Sequence, residues 1–207
     1  MKRSILSAIA ILFLALGTEA QIRYGFRAGM SSTNLSSETI QANGVSLAVK
    51  NADYGIHLGL FARGKLTDRW YVQPEVVFNS SRVNFKVTDL SEGLVDKVLS
   101  ETYRNLDIPF MLGYKLGPLR LEAGPVGHVY MASKSELEDN VTGYEKRFNN
   151  FNMGYQAGVG LDIWKILLDL RYEGNFTKFG DHIRIGGQNV KFADAPTRWV
   201  LTAGFSF

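Results

Sequence analysis

The alternation of apolar and polar residues with a period of two is the feature that most constrains the fold of this chain. In the segment that starts at Ile22, the even positions are all apolar, whereas the odd positions are Arg or Gly. Successive side chains of a β-strand point to opposite faces, so the pattern predicts a strand with one apolar face. It recurs in eight segments of the length that strands need to cross a membrane. These segments are 22–30, 54–62, 70–78, 106–114, 119–131, 151–163, 166–176 and 199–207.

The two faces of these segments differ in charge. No residue on the apolar face is Asp, Glu, Lys or Arg, whereas the opposite face carries basic and acidic residues in similar number. Eight strands enclose too little space for so many apolar side chains, which argues against a soluble barrel of the lipocalin kind. We therefore predict an all-β protein, an eight-stranded antiparallel up-and-down transmembrane β-barrel with its apolar face toward lipid. The charged residues predicted to face the lumen are Arg23, Arg27, Arg63, Glu75, Asp107, Lys115, Arg120, Glu122, Asp162, Asp169, Arg171, Glu173 and Arg198.

The connections between the segments alternate in length. Short turns at 64–69, 115–118 and 164–165 alternate with long polar connections. This arrangement is typical of outer-membrane barrels, in which the short turns face the periplasm. Both chain ends are then expected at the periplasmic side. Residues 183–192, in the last long connection, predict a hairpin.

Aromatic residues and prolines add detail to the predicted strands. Proline cannot donate to a strand ladder, so Pro74, Pro109 and Pro125 each predict a bulge or a local bend. Amphipathic rings prefer membrane interfaces, so two rows of outward aromatic residues are expected at the rims. The expected rows are Tyr24, Trp70, Tyr114 and Phe207 at one rim, and Tyr54, Phe78, Phe151, Phe176 and Trp199 at the other.

The first 20 residues have the pattern of a cleavable signal peptide. Lys2 and Arg3 precede an apolar stretch that is short for a bilayer span, and small residues occupy positions 18 and 20, which signal peptidase reads. We therefore expect residues 1–20 to be removed and residues 21–207 to form the barrel. An uncleaved membrane anchor is the alternative.

Composition excludes several classes of function. The chain has no cysteine, which excludes disulfide scaffolds, thiolate metal sites and cysteine nucleophiles. A mean hydropathy of -0.06 excludes a protein with several transmembrane helices. The net charge of +3 is too small to suggest a nucleic acid partner. No carboxylate spacing resembles a calcium site. The composition of the long connections names no ligand, and we predict neither a metal nor a cofactor.

Three segments that contain proline resemble a known family. Residues 71–75 read Tyr-Val-Gln-Pro-Glu, residues 105–110 read Asn-Leu-Asp-Ile-Pro-Phe, and residues 122–125 read Glu-Ala-Gly-Pro. With the terminal Gly-Phe-Ser-Phe, they resemble recurrent segments of the PorT-like outer-membrane β-barrel proteins of Bacteroidetes. The resemblance covers the whole chain after the signal peptide. It implies an outer-membrane barrel and, because named members are linked to type IX secretion, it also implies a role accessory to secretion.

The histidines are the candidates for chemistry. His57 and His128 are predicted to point inward, and His182 lies in the last long connection. A histidine beside a carboxylate such as Glu122 can act as a general base, as His128 would do here. Because no recognisable motif places a serine nucleophile near it, polar filling of the lumen is favoured over catalysis. We predict no catalytic, cofactor-binding or metal-binding residue.

The inward charges have a structural explanation. Arg120 and Glu122 lie two residues apart on one predicted strand, and Arg171 and Glu173 do so on another. A desolvated charge is costly unless it is paired, so this spacing predicts an ion-pair network that plugs the barrel. A conducting pore would more typically show one dominant sign of charge.

These patterns together predict a non-enzymatic protein of the outer membrane of a Gram-negative bacterium. Its expected type is structural or surface-interacting, with a role accessory to secretion as one variant. The alternatives are an outer-membrane lipid-modifying enzyme and a narrow pore for small solutes. The expected partners are outer-membrane lipids, the barrel-assembly machinery during insertion, and a secretion or surface partner of unspecified identity.

The last strand generates a prediction about assembly. Alternating apolar residues that end in Phe207 resemble the signal read by the barrel-assembly machinery. Deleting Phe207, or substituting Leu201→Asp, should reduce insertion, because a charge on the lipid face costs up to about 2–4 kcal/mol for a basic residue and less for an acid. Heat-modifiable mobility of the outer-membrane fraction measures insertion. An undiminished folded band in both variants would contradict the prediction.

Overall fold

The computed structural model describes residues 22–34, 39–42, 45–89, 94–136, 144–146, 151–176, 183–185, 188–190 and 197–207. The expected signal peptide, residues 1–20, lies outside the described residues. The described residues form thirteen strands. These are β1 (Ile22–Asn34), β2 (Thr39–Ala42), β3 (Val45–Ala52), β4 (Gly55–Lys65), β5 (Trp70–Asp89), β6 (Leu94–Leu116), β7 (Leu119–Ser135), β8 (Tyr144–Lys146), β9 (Phe151–Ile163), β10 (Ile166–Asn175), β11 (Ile183–Ile185), β12 (Gln188–Val190) and β13 (Thr197–Ser206).

Eight of these strands close into one antiparallel ring. Going around it, the order is β1, β4, β5, β6, β7, β9, β10 and β13, so each strand pairs with the next barrel strand along the chain. Pairing of β1 with β13, from Gly25 opposite Ser206 to Asn34 opposite Thr197, closes the ring. The predicted eight-stranded up-and-down barrel is confirmed.

No helix among the described residues combines the length and the apolar character needed to cross a membrane.

The two faces of the barrel wall are those that the alternation predicts. On the outer face, Leu60 is 67% exposed and Leu201 is 52% exposed. On the inner face, Arg120 is fully buried and Arg171 is 1% exposed. The apolar side chains therefore point away from the lumen, and the charged side chains fill it. Both predicted aromatic rows lie on the outer face, where Trp70 packs edge-on against Tyr114 with ring centroids 5.0 Å apart.

Three short turns define one end of the barrel, here called the turn end; the opposite end is the loop end. Residues 66–69 join β4 to β5, residues 117–118 join β6 to β7, and residues 164–165 join β9 to β10. The two-residue turns have a positive φ at their first position, +66° at Gly117 and +56° at Trp164, as tight hairpins require. Trp164 therefore belongs to the turn that the sequence predicts at 164–165.

The connection at 79–105 is a correction to the sequence interpretation. It was expected to be a long loop, but β5 continues to Asp89 and β6 begins at Leu94, and the two strands pair along this length. The β3 strand pairs with the same part of β5, and β2 pairs with β3. We call β2, β3 and the outer parts of β5 and β6 the extension sheet.

The extension sheet has the opposite polarity to the barrel wall. Within the barrel, the inward residues of β5 include Gln73, Glu75 and Asn79, with Val77 the apolar one among them, but farther along the strand the apolar Val83, Phe85 and Val87 are buried. The residues between them, such as Arg82 and Lys86, point outward and are exposed. The odd-numbered residues of β5 face inward along the whole strand, so the strand itself does not turn over. The inversion of polarity therefore marks the level at which the surroundings of the strand change from lipid to water.

The prolines do not produce the expected bulges. The β5–β6 ladder pairs Pro74 with Phe110 and resumes in the same register at Val77 and Asp107. The β6–β7 ladder likewise resumes in register after Pro109, and the register across Pro125 is constant. A ladder can skip a missing donor without inserting a residue, so the predicted bulges are wrong, whereas the alternative of a local bend stays a prediction. One shift within the barrel wall lies instead between Arg104 and Asn105.

The predicted hairpin at 183–192 is present in its described part. Strand β11 pairs with β12, from Ile183 opposite Val190 to Ile185 opposite Gln188. Strand β8 pairs with the other edge of β11, which makes a three-stranded sheet.

The topology can be tested with single cysteines, because the chain has none of its own. If the loop end faces the outside, Lys86→Cys in the extension sheet should react with a membrane-impermeant maleimide on intact cells. Asp68→Cys in the first turn should react only after the outer membrane is permeabilised. Both side chains are exposed, Asp68 more than Lys86, so burial within the protein would not explain a failure of Asp68→Cys to react. The reverse labelling pattern would invert the orientation.

Candidate functional site

A network of charged side chains fills the lumen, and we call it the lumen network. Its members are nearly all buried and come from all eight barrel strands. They are Arg27, Arg63, Glu75, Asp107, Arg120, Glu122, His128, Asp162, Asp169, Arg171, Glu173 and Arg198.

One salt bridge crosses the full width of the barrel at its middle. Strands β10 and β5 are four strands apart in either direction around the ring, and Arg171 on β10 reaches Glu75 on β5. The Nη2 atom of Arg171 lies 2.7 Å from Oε1 of Glu75, and its Nη1 donates to Oε2 at 3.0 Å. The Nε of Arg171 also lies 2.6 Å from Oε1 of Glu122. This guanidinium therefore ties three strands together with short bidentate geometry.

Two further salt bridges cross the barrel on either side of the middle. Toward the turn end, Nη1 of Arg63 on β4 lies 3.0 Å from Oδ2 of Asp162 on β9. Toward the loop end, Nη2 of Arg198 on β13 lies 2.6 Å from Oδ2 of Asp107 on β6. Each of these strand pairs is again four strands apart around the ring. Direct ionic contacts therefore span the lumen at three levels.

Shorter connections join these levels into one network. The Nη2 of Arg120 lies 2.6 Å from Oδ1 of Asp169, and its Nε lies 2.6 Å from Oδ1 of Asp162. Arg27 contacts Glu75 and lies 3.2 Å from Asp169. Asp162 and Asp169 therefore link the turn-end bridge to the middle of the lumen.

Inward glycines leave the space that these long side chains occupy. A Cβ atom added at Gly160 would lie 2.5 Å from Nη2 of Arg120 and 2.5 Å from Oδ1 of Asp169. A Cβ atom at Gly158 would meet the backbone and Cγ of Arg171, and one at Gly113 would overlap the ring of Tyr71. The pairing of small with large inward residues allows an eight-stranded lumen to hold so many guanidinium groups.

The histidines lie in two different settings. The Nδ1 of His128 is 2.7 Å from Oδ1 of Asp107, and its Nε2 is 3.6 Å from Glu173. The expected pairing of His128 with Glu122 is wrong. Glu122 lies nearer the turn end of β7 and binds Arg120 and Arg171 instead. His128 and Glu122 are six positions apart on one extended strand, so their side chains are too far apart to contact each other.

The other inward histidine also has a polar partner. The Nε2 of His57 is 2.9 Å from Oγ1 of Thr202, and both side chains are buried. His182 lies outside the described residues. Within the described ranges, no group of His, Asp and Glu has a geometry that could hold a metal ion.

The segments that resemble a family supply much of this network. Residues 71–75 contribute Glu75, residues 105–110 contribute Asp107, and residues 122–125 contribute Glu122. Each segment thus provides one buried carboxylate beside or near a proline. The family-like motifs and the inward charges, which are separate features of the sequence, therefore belong to the same part of the molecule.

The comparison with family models identifies the chain. A model described as an outer membrane protein beta-barrel domain matches residues 18–180. The chain belongs to this family. Membership implies a location in the bacterial outer membrane, and it agrees with the outward apolar face and the closed ring of eight strands.

Solved structures of small outer-membrane barrels are similar to the chain. OprG from Pseudomonas aeruginosa is 16% identical, with 90% of this chain and 94% of that chain covered and a TM-score of 0.50. AlkL in lipid bilayers is 13% identical, with 92% of each chain covered and a TM-score of 0.47. Ail of Yersinia pestis, in complex with the heparin analogue sucrose octasulfate, is 15% identical, with 92% and 100% covered and a TM-score of 0.45. At this identity, the likeness to OprG shows the fold alone. Comparison with curated proteins gives no match.

Substituting Arg171→Ala tests how much the lumen network contributes to the free energy of unfolding. The substitution leaves Glu75 and Glu122 buried without their shared guanidinium, so stability should fall by about 3–5 kcal/mol. Urea unfolding in detergent micelles measures the change. The matched control is Arg82→Ala in the extension sheet, where the arginine is exposed and the change should stay below about 0.5 kcal/mol. Equal effects of the two substitutions would refute the proposed role of Arg171.

Proposed function

We propose that this protein is a sealed outer-membrane barrel that anchors the extension sheet at the cell surface for interaction with a partner. The barrel serves as a rigid support, and the extension sheet and neighbouring loop-end segments form the interaction surface. The proposal includes no enzymatic activity. Its partners are outer-membrane lipids, the barrel-assembly machinery during insertion, and a surface or secretion component.

The cross-barrel salt bridges carry this proposal. A conducting pathway needs a continuous column of water, but Arg63, Arg171 and Arg198 each reach a carboxylate on the opposite wall. Moving one of these side chains aside would leave a buried charge without its partner, which is strongly unfavourable. The basic and acidic groups also alternate through the lumen, so a permeating ion of either sign would meet unfavourable charges.

The polarity inversion in β5 supports a role for the extension sheet in water. Its inward side has the apolar residues Val83, Phe85 and Val87, which give the sheet a core above the barrel. Strands that continue beyond the lipid with their own buried residues present an ordered surface, unlike a flexible loop. Ordered surfaces bind partners at a smaller entropic cost.

A role accessory to secretion is the finer form of this proposal. It is supported by the resemblance of three segments to PorT-like proteins of Bacteroidetes. Those segments supply Glu75, Asp107 and Glu122, so the resemblance concerns the sealed lumen in particular. A sealed barrel fits an anchoring role beside secretion machinery better than a transport role of its own.

Single-channel recording tests whether the lumen is sealed. Purified wild-type protein in planar bilayers should show no stable, reproducible conductance steps at moderate salt. A large porin, inserted under the same conditions, is the control for insertion and detection. If the wild type conducts, and the double variant Arg120→Ala/Arg171→Ala changes ion selectivity without losing stability, the lumen is a pathway and the function is that of a narrow pore.

A further inference from the structure

A basic pocket lies at the turn end of the barrel, away from the proposed interaction surface. Its volume is about 170 Å³, several times the roughly 30 Å³ that one water occupies in the liquid. Its basic lining residues are Arg23, Arg63, Lys65, Arg69 and Lys115.

The basic side chains of this pocket exceed the carboxylates available to them. Lys65 forms a salt bridge with Asp68, 2.8 Å between Nζ and Oδ1, and this contact lowers the pKa of Asp68. Arg63 and Lys115 share the single carboxylate of Asp162, at 3.0 and 3.5 Å. That carboxylate is already engaged by a third cation, Arg120 of the lumen network. The pocket therefore has a net positive charge that the carboxylates of the described residues do not neutralise.

The two remaining arginines of the pocket have no acidic partner among the described residues. The Nη1 of Arg69 donates to the hydroxyl group of Tyr114 at 2.9 Å, and this hydroxyl is a neutral acceptor. Arg23 is exposed and contacts no carboxylate in the described part of the chain. Both guanidinium groups are thus available to an anion.

One buried donor of the pocket is also unsatisfied. Arg63 is 5% exposed, and its Nε donates to Oε1 of Gln73 at 2.6 Å while its Nη1 binds Asp162. Its Nη2 is buried and has no hydrogen-bond partner. A buried donor without an acceptor is costly, so an oxygen atom within reach of this Nη2 would remove that penalty.

The aromatic wall of the pocket indicates its depth relative to the membrane. Trp70 and Tyr71 both line the pocket, and as neighbours on a strand they point to opposite faces. Trp70 belongs to the outward aromatic row of the turn end, which lies at the level of lipid headgroups. The pocket therefore lies at the turn-end mouth of the lumen, and Trp70 places this mouth at the level of the headgroup region.

We propose that this pocket binds a phosphate group, supplied by the headgroup of an anionic phospholipid in the periplasmic leaflet. Arginine presents several N–H donors in a planar fork that matches phosphate oxygens, and two arginines with a third at the base suit one tetrahedral anion. The identity of the leaflet rests on the orientation in the proposed function. The binding of phosphate does not depend on that orientation.

Calorimetric titration tests this proposal on the full barrel in an uncharged maltoside detergent. One arm adds dihexanoyl phosphatidylglycerol, and the other adds inorganic phosphate. The test variant is Arg23→Glu/Arg69→Glu at the turn end. The matched control is Arg82→Glu/Arg104→Glu at the loop end, which makes the same change of charge at exposed positions of the same protein. Heat-modifiable mobility verifies that each variant is folded.

The expected result is saturable binding that weakens at least tenfold in the turn-end variant and less than twofold in the loop-end control. Tighter binding of the lipid than of inorganic phosphate assigns the source to a phospholipid. Comparable affinities assign it to a soluble phosphate compound, which would overturn the lipid source while keeping the site. Absence of saturation in both arms, or equal effects of the two double variants, would overturn the site itself. If the charge reversal prevents folding, Arg23→Gln/Arg69→Gln repeats the test without adding negative charge.

This outcome is separable from that of the proposed function. Conductance of the wild type would refute the sealed barrel without affecting phosphate binding in detergent. Inverted cysteine labelling would move the pocket to the other leaflet but leave its affinity unchanged. Loss of phosphate binding alone would leave both the seal and the topology in place.

Discussion

The pairing of desolvated charges across the lumen is the constraint on which the rest of the structure depends. Arg171 is almost completely buried and reaches Glu75 on the opposite wall, so the distance between the walls and the register of both strands must suit this contact. The bridges of Arg63 and Arg198 impose the same requirement at two other levels. Because an unpaired buried charge is costly, a change in strand register or strand number would disturb all three.

The wall and the network are mutually dependent. Large inward side chains fit only because residues such as Gly113 and Gly160 leave room beside them. The outer face needs no such matching, since leucine and aromatic side chains there meet fluid lipid. Specificity in this barrel is therefore concentrated inside, where polar geometry is strict, whereas the outer face mainly supplies favourable transfer into the membrane.

Features set by neighbouring residues could be predicted from the sequence, whereas features set by distant residues could not. The alternation located the barrel strands, and Gly117-Pro118 located a turn, because both patterns act between neighbouring residues. The long loop predicted at 79–105 is wrong, because polar residues on the outer face belong there to paired strands in water. There, Arg82 and Lys86 are outward residues of a strand in water. Phe85 on the same strand is buried and points to the same side as the lumen-facing residues. The bulges predicted at the prolines are wrong because a gap in the hydrogen-bond ladder does not change the spacing of the side chains.

By itself, the sequence determined the strand segments, their two faces, and the presence of nearly balanced charge in the lumen. These properties follow from a period of two and from the cost of placing charge in lipid, which do not depend on the partners of each residue. Only the tertiary structure decided which charges pair. Glu75 and Arg171 are 96 residues apart along the chain, and His128 binds Asp107 and not the carboxylate on its own strand. Such pairs are set by strand order, stagger and closure of the ring, and no local pattern encodes the position of the opposite wall.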